Sequence, residues 1–304
     1  MSKFDVVGFG ALNVDTLFKV DKLAGTEEES HIQGVAETCG GSAANTIVGL
    51  ARLGCNVGFI GKVGRDREGK LQLDCFKGEG VDIGGIIEAK DGRSGAVLGF
   101  VDEKGARALY INSGVNDTIG YDEIGADYAH NAKFLHLTSF VGETSLETQI
   151  KLLSSLPNEV KISFDPGAVY ARKGYSAIES IVKRTYVFLP NSLELGTLTG
   201  EADYCRGADL MIERGVKVVA VKLGKKGCYV TDGKERLRIA PFKVKAIDTT
   251  GAGDAFCTGF LYGLLNQKTL EECGRLGNFV ASKCVTMMGA RAGLPHADDL
   301  RRLP

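Results

Sequence analysis

The sequence predicts an α/β fold in which a mostly parallel central sheet carries helices on both faces. Short runs rich in β-branched and aromatic residues recur along the chain, and most are separated by segments whose apolar residues have helical spacing. With 304 residues, of which 44% are hydrophobic and 25% charged, the chain can bury a large core. In a fold of this kind the ligand site lies beyond the carboxyl ends of the strands.

The elements follow one another in a simple order. The strands predicted for the central sheet are DVVGFGA, VGFIGKVG, FLHLTSF, KISFDPG, YVFLPN and VKVVAVKLG. Residues 14–36 and 94–112 break the alternation with strand-like runs, the latter around an Asp-Glu-Lys-Gly turn, and we expect them to form a small β flap. A further hairpin is expected around Asp232-Gly233. Because no repeat or linker is visible, we treat residues 1–304 as one domain.

The charge balance and the cysteines limit the classes of partner. Lys and Arg number 37 and Asp and Glu 38, so a formal net charge of -1 offers no broad surface for nucleic acid or an acidic membrane. No apolar stretch approaches the roughly 20 residues that cross a bilayer, and no secretory signal is visible. The eight cysteines contain no CxxC pair, so we expect reduced, mostly buried thiols. We infer a cytoplasmic protein with a small-molecule partner.

Three glycine-rich stretches compete for a phosphate-binding role. Residues 8–13, GFGALN, begin like a dinucleotide fingerprint, but Asn13 replaces the third glycine and no clear helix follows. Residues 64–70, GRDREGK, have the spacing of a P-loop, but Leu71 stands where Ser or Thr should hold magnesium. A loop that leads into a surface helix is the favoured interpretation there. The third stretch is DTTGAGDAF, residues 248–256, which runs directly into an apolar helix.

DTTGAGDAF has the features of an anion site. Gly251, Ala252 and Gly253 can bring successive backbone N–H groups to an anion, and the following helix points its N-terminal dipole at the same place. A helix cap is the alternative interpretation of Asp254, but a cap needs only one acid or hydroxyl. A carboxylate beside an anion site can accept the proton of a hydroxyl that attacks a phosphoryl group. We predict that Asp254 is this base and that the three preceding residues stabilise charge on the phosphoryl oxygens.

Two signatures indicate a family. DTTGAGDAF resembles the C-terminal signature of the ribokinase-like (PfkB type) carbohydrate kinases, and CGGSAANTIVGLARLG, residues 39–54, resembles their N-terminal signature. The two stand in the expected order, and weaker matches run almost end to end. The resemblance implies a ribokinase-like fold and transfer of the γ-phosphoryl group of ATP to a hydroxymethyl group of a sugar or sugar-like substrate. It also implies magnesium and often a monovalent cation such as K+.

The same resemblance assigns site residues, position by position. It implies substrate contacts at Asn13, Asp15, Gly40, Gly41 and Asn45. It implies nucleotide contacts at Asn191, Lys222, Gly224, Gly227, Thr249, Gly251, Gly253 and Asn278. Glu194 is associated with magnesium, and Asp248 and Thr250 with the monovalent cation. Taken alone, Asn45 also fits a helix cap, and the Asn191 and Glu194 pair fits an exposed helix surface.

Several alternatives stay open at this point. In the family the flap closes over the sugar and frequently forms a homodimer interface, which makes residues 14–36 and 94–112 a candidate lid. The acceptor is a sugar or, as an alternative, a nucleoside whose base needs a shelf such as Phe100, Tyr110 or Phe140, although strand aromatics are usually core. A catalytically silent sugar sensor and a nicotinamide oxidoreductase are less favoured, because GAGD is complete and the GFGALN start lacks a glycine.

Overall fold

The computed structural model describes residues 3–103 and 106–301. The strands are β1 (Phe4–Phe9), β2 (Asn13–Val20), β3 (Ile32–Gly40), β4 (Val57–Val63), β5 (Asp82–Glu88), β6 (Gly95–Val101), β7 (Arg107–Asn112), β8 (Ala132–Leu137), β9 (Lys161–Phe164), β10 (Thr185–Phe188), β11 (Val218–Lys222), β12 (Cys228–Thr231) and β13 (Arg236–Ile239). The helices are α1 (Ser42–Arg52), α2 (Arg67–Gly78), α3 (Ala126–His130), α4 (Glu143–Ser155), α5 (Gly167–Lys173), α6 (Tyr175–Arg184), α7 (Ser192–Thr199), α8 (Tyr204–Glu213), α9 (Ala252–Leu265), α10 (Leu270–Cys284) and α11 (Ala297–Leu300).

The main sheet has nine strands in the order β13-β12-β11-β10-β9-β8-β1-β4-β5. The strands from β11 to β5 in that order are parallel, and β12 and β13 form an antiparallel edge. All six strands predicted from the sequence belong to this sheet, and the hairpin at Asp232-Gly233 joins β12 to β13. The predicted α/β fold is therefore confirmed.

The helices pack on the two faces of the sheet through two apolar cores. Val7 and Phe9 of β1 pack into a core completed by side chains of α4 to α8, whereas Val6 packs into a second core with α1, α9 and α10. Successive residues of a strand point to opposite faces, so fully buried runs such as β1 are apolar throughout. Because β1, β8, β9 and β11 are parallel, their carboxyl ends lie along the same edge of the sheet.

The expected flap is a separate sheet, which we call the small sheet, with the strand order β3-β2-β6-β7. β2 pairs with β3 in antiparallel and with β6 in parallel register, and β7 adds to β6 in antiparallel register. The predicted Asp-Glu-Lys-Gly turn between β6 and β7 includes Lys104 and Gly105, which lie outside the described residues. Several apolar side chains of the small sheet are exposed, namely Ile32, Val35, Leu98, Leu109, Tyr110 and Ile111.

The expectation that all cysteines are reduced thiols is wrong for one pair. The structure links Cys39 of β3 to Cys75 of α2 by a disulfide, across a sequence separation of 36. The two residues meet because α2 packs beside the amino end of β2 and the carboxyl end of β3, a contact that their spacing in the sequence does not show. Cys228, Cys257, Cys273 and Cys284 are free and buried, and Cys55 and Cys205 are free and partly buried.

Two further observations concern the glycine-rich loop and the membrane. Asp66 of GRDREGK caps α2 by accepting a hydrogen bond from the backbone N–H of Gly69 at 2.8 Å, so this stretch is a loop that leads into a helix. In residues 3–103 and 106–301 no helix is long and apolar enough to span a bilayer.

Candidate active site

Asp254 lies in the first turn of α9 but does not cap it. The N-cap of α9 is Gly251, and no side chain caps this helix. The Asp254 carboxylate instead faces α1, where its Oδ1 accepts a hydrogen bond from Ser42 Oγ at 2.5 Å and its Oδ2 accepts one from Asn45 Nδ2 at 2.8 Å. The capping alternatives for Asp254 and Asn45 are therefore both wrong, because Asn45 lies inside α1 and points at the carboxylate.

The surroundings of Asp254 tune its basicity. Burial raises the pKa of Asp254 to about 6, while the hydrogen bonds from Ser42 and Asn45 oppose this shift. The charge of Asp165 raises the pKa further and that of Lys222 lowers it. At neutral pH the carboxylate is ionised, and its basicity is close to that expected of an effective proton acceptor at this pH.

The glycine turn before Asp254 has a backbone that only glycine tolerates well. Gly251 has a φ of 74°, and a Cβ atom there would lie 2.5 Å from the Cβ of Ala290. The amides of Gly253 and Asp254 donate to no protein acceptor in the described part of the chain, as expected for the first turn of a helix. The amide of Ala252 differs, because it donates to the carbonyl of Thr249 at 3.2 Å. Anion binding by this turn therefore relies mainly on the amides of Gly253 and Asp254.

A cavity of about 460 Å³ opens beside the glycine turn. Six of the eight residues that the resemblance associates with the nucleotide line its wall, namely Lys222, Gly224, Gly227, Thr249, Gly253 and Asn278, whereas Asn191 and Gly251 do not line it. The sequence analysis missed its apolar lining, which includes Pro241, Phe242, Val244, Phe256, Ala281 and Val285. Asn278 holds this wall together, because its Nδ2 donates to the carbonyls of Ile239 and Ala240 at 3.2 and 3.1 Å.

A buried ion pair lies beneath the glycine turn. Lys222 Nζ is 2.5 Å from Asp165 Oδ2, with only 12% and 7% of the two side chains exposed. Burial alone would lower the pKa of Lys222, but the Asp165 carboxylate more than offsets it and holds the pKa above its usual range. The ammonium is 3.4 Å from the position that a Cβ of Gly253 would take. The sequence analysis missed Asp165, although an acid directly after the apolar strand β9 was a usable signal.

Asn191 and Glu194 form the start of α7. Asn191 Oδ1 accepts a hydrogen bond from the Glu194 backbone N–H at 2.8 Å, and Glu194 Oε2 accepts one from the Asn191 N–H at 2.7 Å. This reciprocal arrangement is a capping box. Glu194 is only 9% exposed, so the alternative of an exposed surface pair is wrong for it. Burial raises the pKa of Glu194, and the neighbouring Asp165 charge adds to this effect.

The predicted substrate residues converge where β2, β3 and α1 meet. Asn13 Oδ1 accepts a hydrogen bond from Asn116 Nδ2 at 3.0 Å. Asp15 faces Gly40, where any Cβ would collide with its carboxylate, and Gly41 begins α1 with a φ of 107°. Burial raises the pKa of Asp15 to about 6, with the charge of Arg291 opposing and that of Asp254 adding to the shift. Asp15 and Asp254 are therefore close enough to interact electrostatically within the same site.

Three polar residues of this region were not predicted. Ser42 and Asn116 hold Asp254 and Asn13 respectively. Arg291 reaches the site from the segment after α10, where its Nε donates to Asn45 Oδ1 at 2.8 Å and its Nη2 donates to the Gly40 carbonyl at 3.2 Å. Ser42 stood between quoted motif residues and was visible in the sequence, whereas Arg291 is 246 positions from its partner.

The residues expected to hold cations offer oxygen atoms. Asp248 Oδ1 accepts hydrogen bonds from the backbone N–H and the hydroxyl of Thr250 at 2.9 and 2.7 Å, and Asp248 Oδ2 accepts one from the Gly289 N–H at 2.8 Å. This arrangement fixes the loop before the glycine turn. A carboxylate, a hydroxyl and backbone carbonyls are ligands that hard cations prefer, so the donor set fits the expected ion. In the described ranges no cluster of three or more His, Cys, Asp or Glu side chains is arranged around a metal position.

Comparison with known proteins identifies the family. Residues 3–297 match the profile described as pfkB family carbohydrate kinase. The chain is 49% identical over 255 residues to an uncharacterised sugar kinase of Archaeoglobus fulgidus, covering 83% of this chain and 100% of that protein. It is 32% identical over 295 residues to an ATP-dependent ribose-1-phosphate kinase of Halopiger xanaduensis, covering 96% of this chain and 95% of that one. A crystal structure of ribokinase from Thermotoga maritima superimposes with a TM-score of 0.89 at 27% identity over 99% of both chains. The chain therefore belongs to the PfkB family of carbohydrate kinases, which are phosphotransferases with an alcohol group as acceptor.

Proposed function

We propose that the protein transfers the γ-phosphoryl group of ATP to a hydroxymethyl group of a sugar or sugar-like substrate, with Asp254 as the general base. The observation that carries this proposal is the placement of the Asp254 carboxylate. Ser42 and Asn45 hold it by hydrogen bonds on the side of β2, β3 and α1, which we call the substrate side. In the sequence it directly follows the glycine turn, which borders the cavity. A proton acceptor and an anion site thus adjoin one another.

The chemical step follows from this arrangement. As the substrate hydroxyl oxygen attacks the γ-phosphorus, its proton passes to Asp254 and the bond to the bridging oxygen of ADP breaks. The free amides of Gly253 and Asp254, together with the Lys222 ammonium below them, stabilise charge on the transferred group. The apolar wall of the cavity suits a purine base, which leaves the phosphates near the helix terminus.

Cations complete this proposal. Magnesium supplies charge neutralisation on the phosphates when bound, and Glu194 is the acid we associate with it. Asp248 and Thr250 would supply oxygen ligands to a monovalent cation such as K+ beside the turn. The hydrogen bonds between the two residues hold these oxygens in place. The dependence of the rate on each ion tests the two assignments separately.

A sugar fits the site better than a nucleoside. Of the three aromatic residues considered as a shelf for a base, Phe140 follows β8, is 1% exposed and belongs to the core. Phe100 stacks on Phe18 with ring centroids 5.1 Å apart, and Tyr110 meets Phe100 edge-on. The relative from Halopiger xanaduensis is named for a sugar phosphate, which also favours a sugar.

The small sheet is the proposed lid and homodimer interface. Val35, Leu98 and Tyr110 are 60%, 44% and 63% exposed on one face of it, a concentration of apolar surface that a second copy of the chain would cover. Sedimentation equilibrium of the wild type should show a dimer. Tyr110→Asp should shift the population to monomer, and a monomeric wild type would contradict the assignment.

The decisive test of function is Asp254→Asn in an ADP-release assay with MgATP and potassium. The acceptor panel is ribose, ribose 1-phosphate, fructose, ketodeoxygluconate, adenosine, cytidine and inosine. We expect a sugar to be phosphorylated, and the variant to bind it normally but lose about 10³-fold or more in kcat, the effect of removing a general base whose function water replaces poorly. Asp127→Asn, at a side chain that is 99% exposed, is the matched control. Near-normal turnover by Asp254→Asn would exclude it as the base.

A further inference from the structure

Arg291 reaches the centre of the substrate side from a distant part of the chain. It lies after α10, and Arg52 of α1 holds its backbone, because Arg52 Nη1 donates to the carbonyls of Arg291 and Leu294. Arg52 is in turn fixed by a two-pronged ion pair with Glu79. The position of Arg291 is therefore set by a network of its own rather than by chance contact.

The Arg291 guanidinium determines how the Asn45 side chain is oriented. Nε donates to Asn45 Oδ1 at 2.8 Å, which leaves Asn45 Nδ2 to donate to Asp254 Oδ2 at 2.8 Å. An asparagine amide has an acceptor end and a donor end, and a flip would place two donors and two acceptors face to face. The reverse orientation is impossible, because a guanidinium has no acceptor for the N–H groups of Asn45 Nδ2. Asn45 thus presents an N–H group to Asp254 because Arg291 occupies its oxygen.

The same guanidinium joins the small sheet to α1. Its Nη2 donates to the carbonyl of Gly40, the last residue of β3, at 3.2 Å. Gly40 in turn lies against the carboxylate of Asp15, so the arginine faces both halves of the substrate side. No protein group other than Arg291 connects Gly40 and Asn45 through side-chain hydrogen bonds among the residues that the structure describes.

We propose that Arg291 is a positioning residue for phosphoryl transfer, which acts through Asn45 to orient and stabilise the ionised carboxylate of Asp254. This inference rests on the proposed role of Asp254 as the base. It assigns to a residue outside both signatures a part in the chemical step. Because Arg291 acts through Asn45, removing Arg291 should lower kcat little further once the Asn45 side chain has already been removed.

The charges around Asp254 set the expected direction of the pH effect. The ionisable groups that interact electrostatically with it are Asp15, Asp165, Glu194, Lys222, Cys257, Cys284 and Arg291. Of these only Lys222 and Arg291 are cations, and the hydrogen bond from Asn45 further lowers the pKa of Asp254. Without Arg291 the amide of Asn45 is free to turn, so the pKa of Asp254 should rise.

A double-mutant cycle tests the route of action. Arg291→Met and Asn45→Ala should each lower kcat by about 10- to 100-fold, and the double variant should be no more than about threefold worse than Asn45→Ala alone. Effects that multiply across the two sites would show that Arg291 acts independently of Asn45 and would overturn the proposal. Thermal unfolding of each variant verifies that the folded fraction is the same at the assay temperature.

The pH profile separates positioning from mere structural support. In Arg291→Met the acid limb of kcat should move upward by about one pH unit, because losing a hydrogen bond to the ionised form of a carboxylate raises its pKa by about that amount. Arg291→Lys, which keeps the charge without the fork, should fall between the wild type and Arg291→Met. An unchanged limb in both variants would reduce Arg291 to a structural residue and overturn the proposal.

Two comparisons keep this result separate from that of the proposed function. Arg184→Met removes an arginine that also donates to backbone carbonyls, those of Leu156 and Pro157, but far from Asp254, and it should leave kcat and the pH profile unchanged. Asp254→Asn tests the base itself. A fully active Asp254→Asn would refute the proposed role of Asp254 as the base, whereas an inactive Asp254→Asn with multiplying effects of Arg291 and Asn45 would refute only the present inference.

Discussion

The two sides of Asp254 are built from different materials. On the substrate side, polar side chains hold one another, as Arg291 holds Asn45 and Asn116 holds Asn13. On the nucleotide side, backbone amides, glycines and a mostly apolar wall shape a cavity of about 460 Å³. The difference teaches that damage should take opposite forms: removing atoms harms the first side, and adding atoms harms the second.

The largest loss of stability should come from breaking the ion pair between Lys222 and Asp165. This pair is the exception on the nucleotide side, because it depends on polar side chains. Lys222→Met leaves the buried Asp165 carboxylate without its partner 2.5 Å away. We expect a loss of about 3–5 kcal/mol in the free energy of unfolding, because an uncompensated buried charge is costly. Urea denaturation measures it. The double variant Lys222→Met/Asp165→Asn should recover much of the loss, and equal stability of the single and double variants would contradict this reason.

The next effect should come from adding one methyl group to the glycine turn. Gly251→Ala must keep a φ of 74° and place its Cβ 2.5 Å from that of Ala290. Displacement of the amides should lower kcat by about 10²- to 10³-fold, the range found when oxyanion donors are lost. Gly54→Ala is the matched control, since Gly54 also has a positive φ of 85° but nothing within 4 Å of its Cβ position. A similar loss of kcat in both variants would argue against the steric explanation.

A smaller effect should follow removal of a single hydroxyl from the substrate side. Ser42→Ala deletes the donor 2.5 Å from Asp254 Oδ1, and we expect about a 10-fold loss in kcat, as for a hydrogen bond to a charged group. Ser113→Ala serves as control, because the Ser113 side chain makes no capping hydrogen bond to the short helix Gly114–Thr118 that it precedes. If kcat of Ser42→Ala equals that of the wild type, the hydroxyl does not support the base.

The mildest perturbation is a change of pH in the wild type. Burial raises the pKa of Asp254 to about 6, and the carboxylate must be ionised to accept a proton. The rate should therefore rise through about pH 6 and level off above it, so that at pH 5 it is about a tenth of its plateau value. Asp15, whose pKa is also raised to about 6, should steepen this limb by weakening substrate binding when it is protonated. A flat profile from pH 5 to 8 would contradict the assignment of the base.

The sequence predicted what is encoded locally. Buried parallel strands are apolar throughout, so β1, β4 and β8 were visible as runs, and Asp254 stands directly beside the glycines that accompany it. Residues joined only by folding were not predicted. Lys222 and Asp165 are 57 positions apart, and Arg291 and Asn45 are 246 apart. The engagement of the Ala252 amide by Thr249 also escaped prediction, because it depends on the detailed backbone of the turn.

The disulfide between Cys39 and Cys75 ties one end of the small sheet to α2. Cys39 is next to Gly40 at the carboxyl end of β3, and Cys75 belongs to α2, which packs on the main body of the protein. A sheet tethered at one end moves by rotation about that end, and the displacement grows with distance from it. The end near Gly40, where we propose that the substrate binds, would stay almost still if the sheet moved, while the opposite end, around residues 20–32, would sweep through the widest arc. If the small sheet is the lid that we propose, its opening would leave the proposed substrate contacts near Gly40 already assembled.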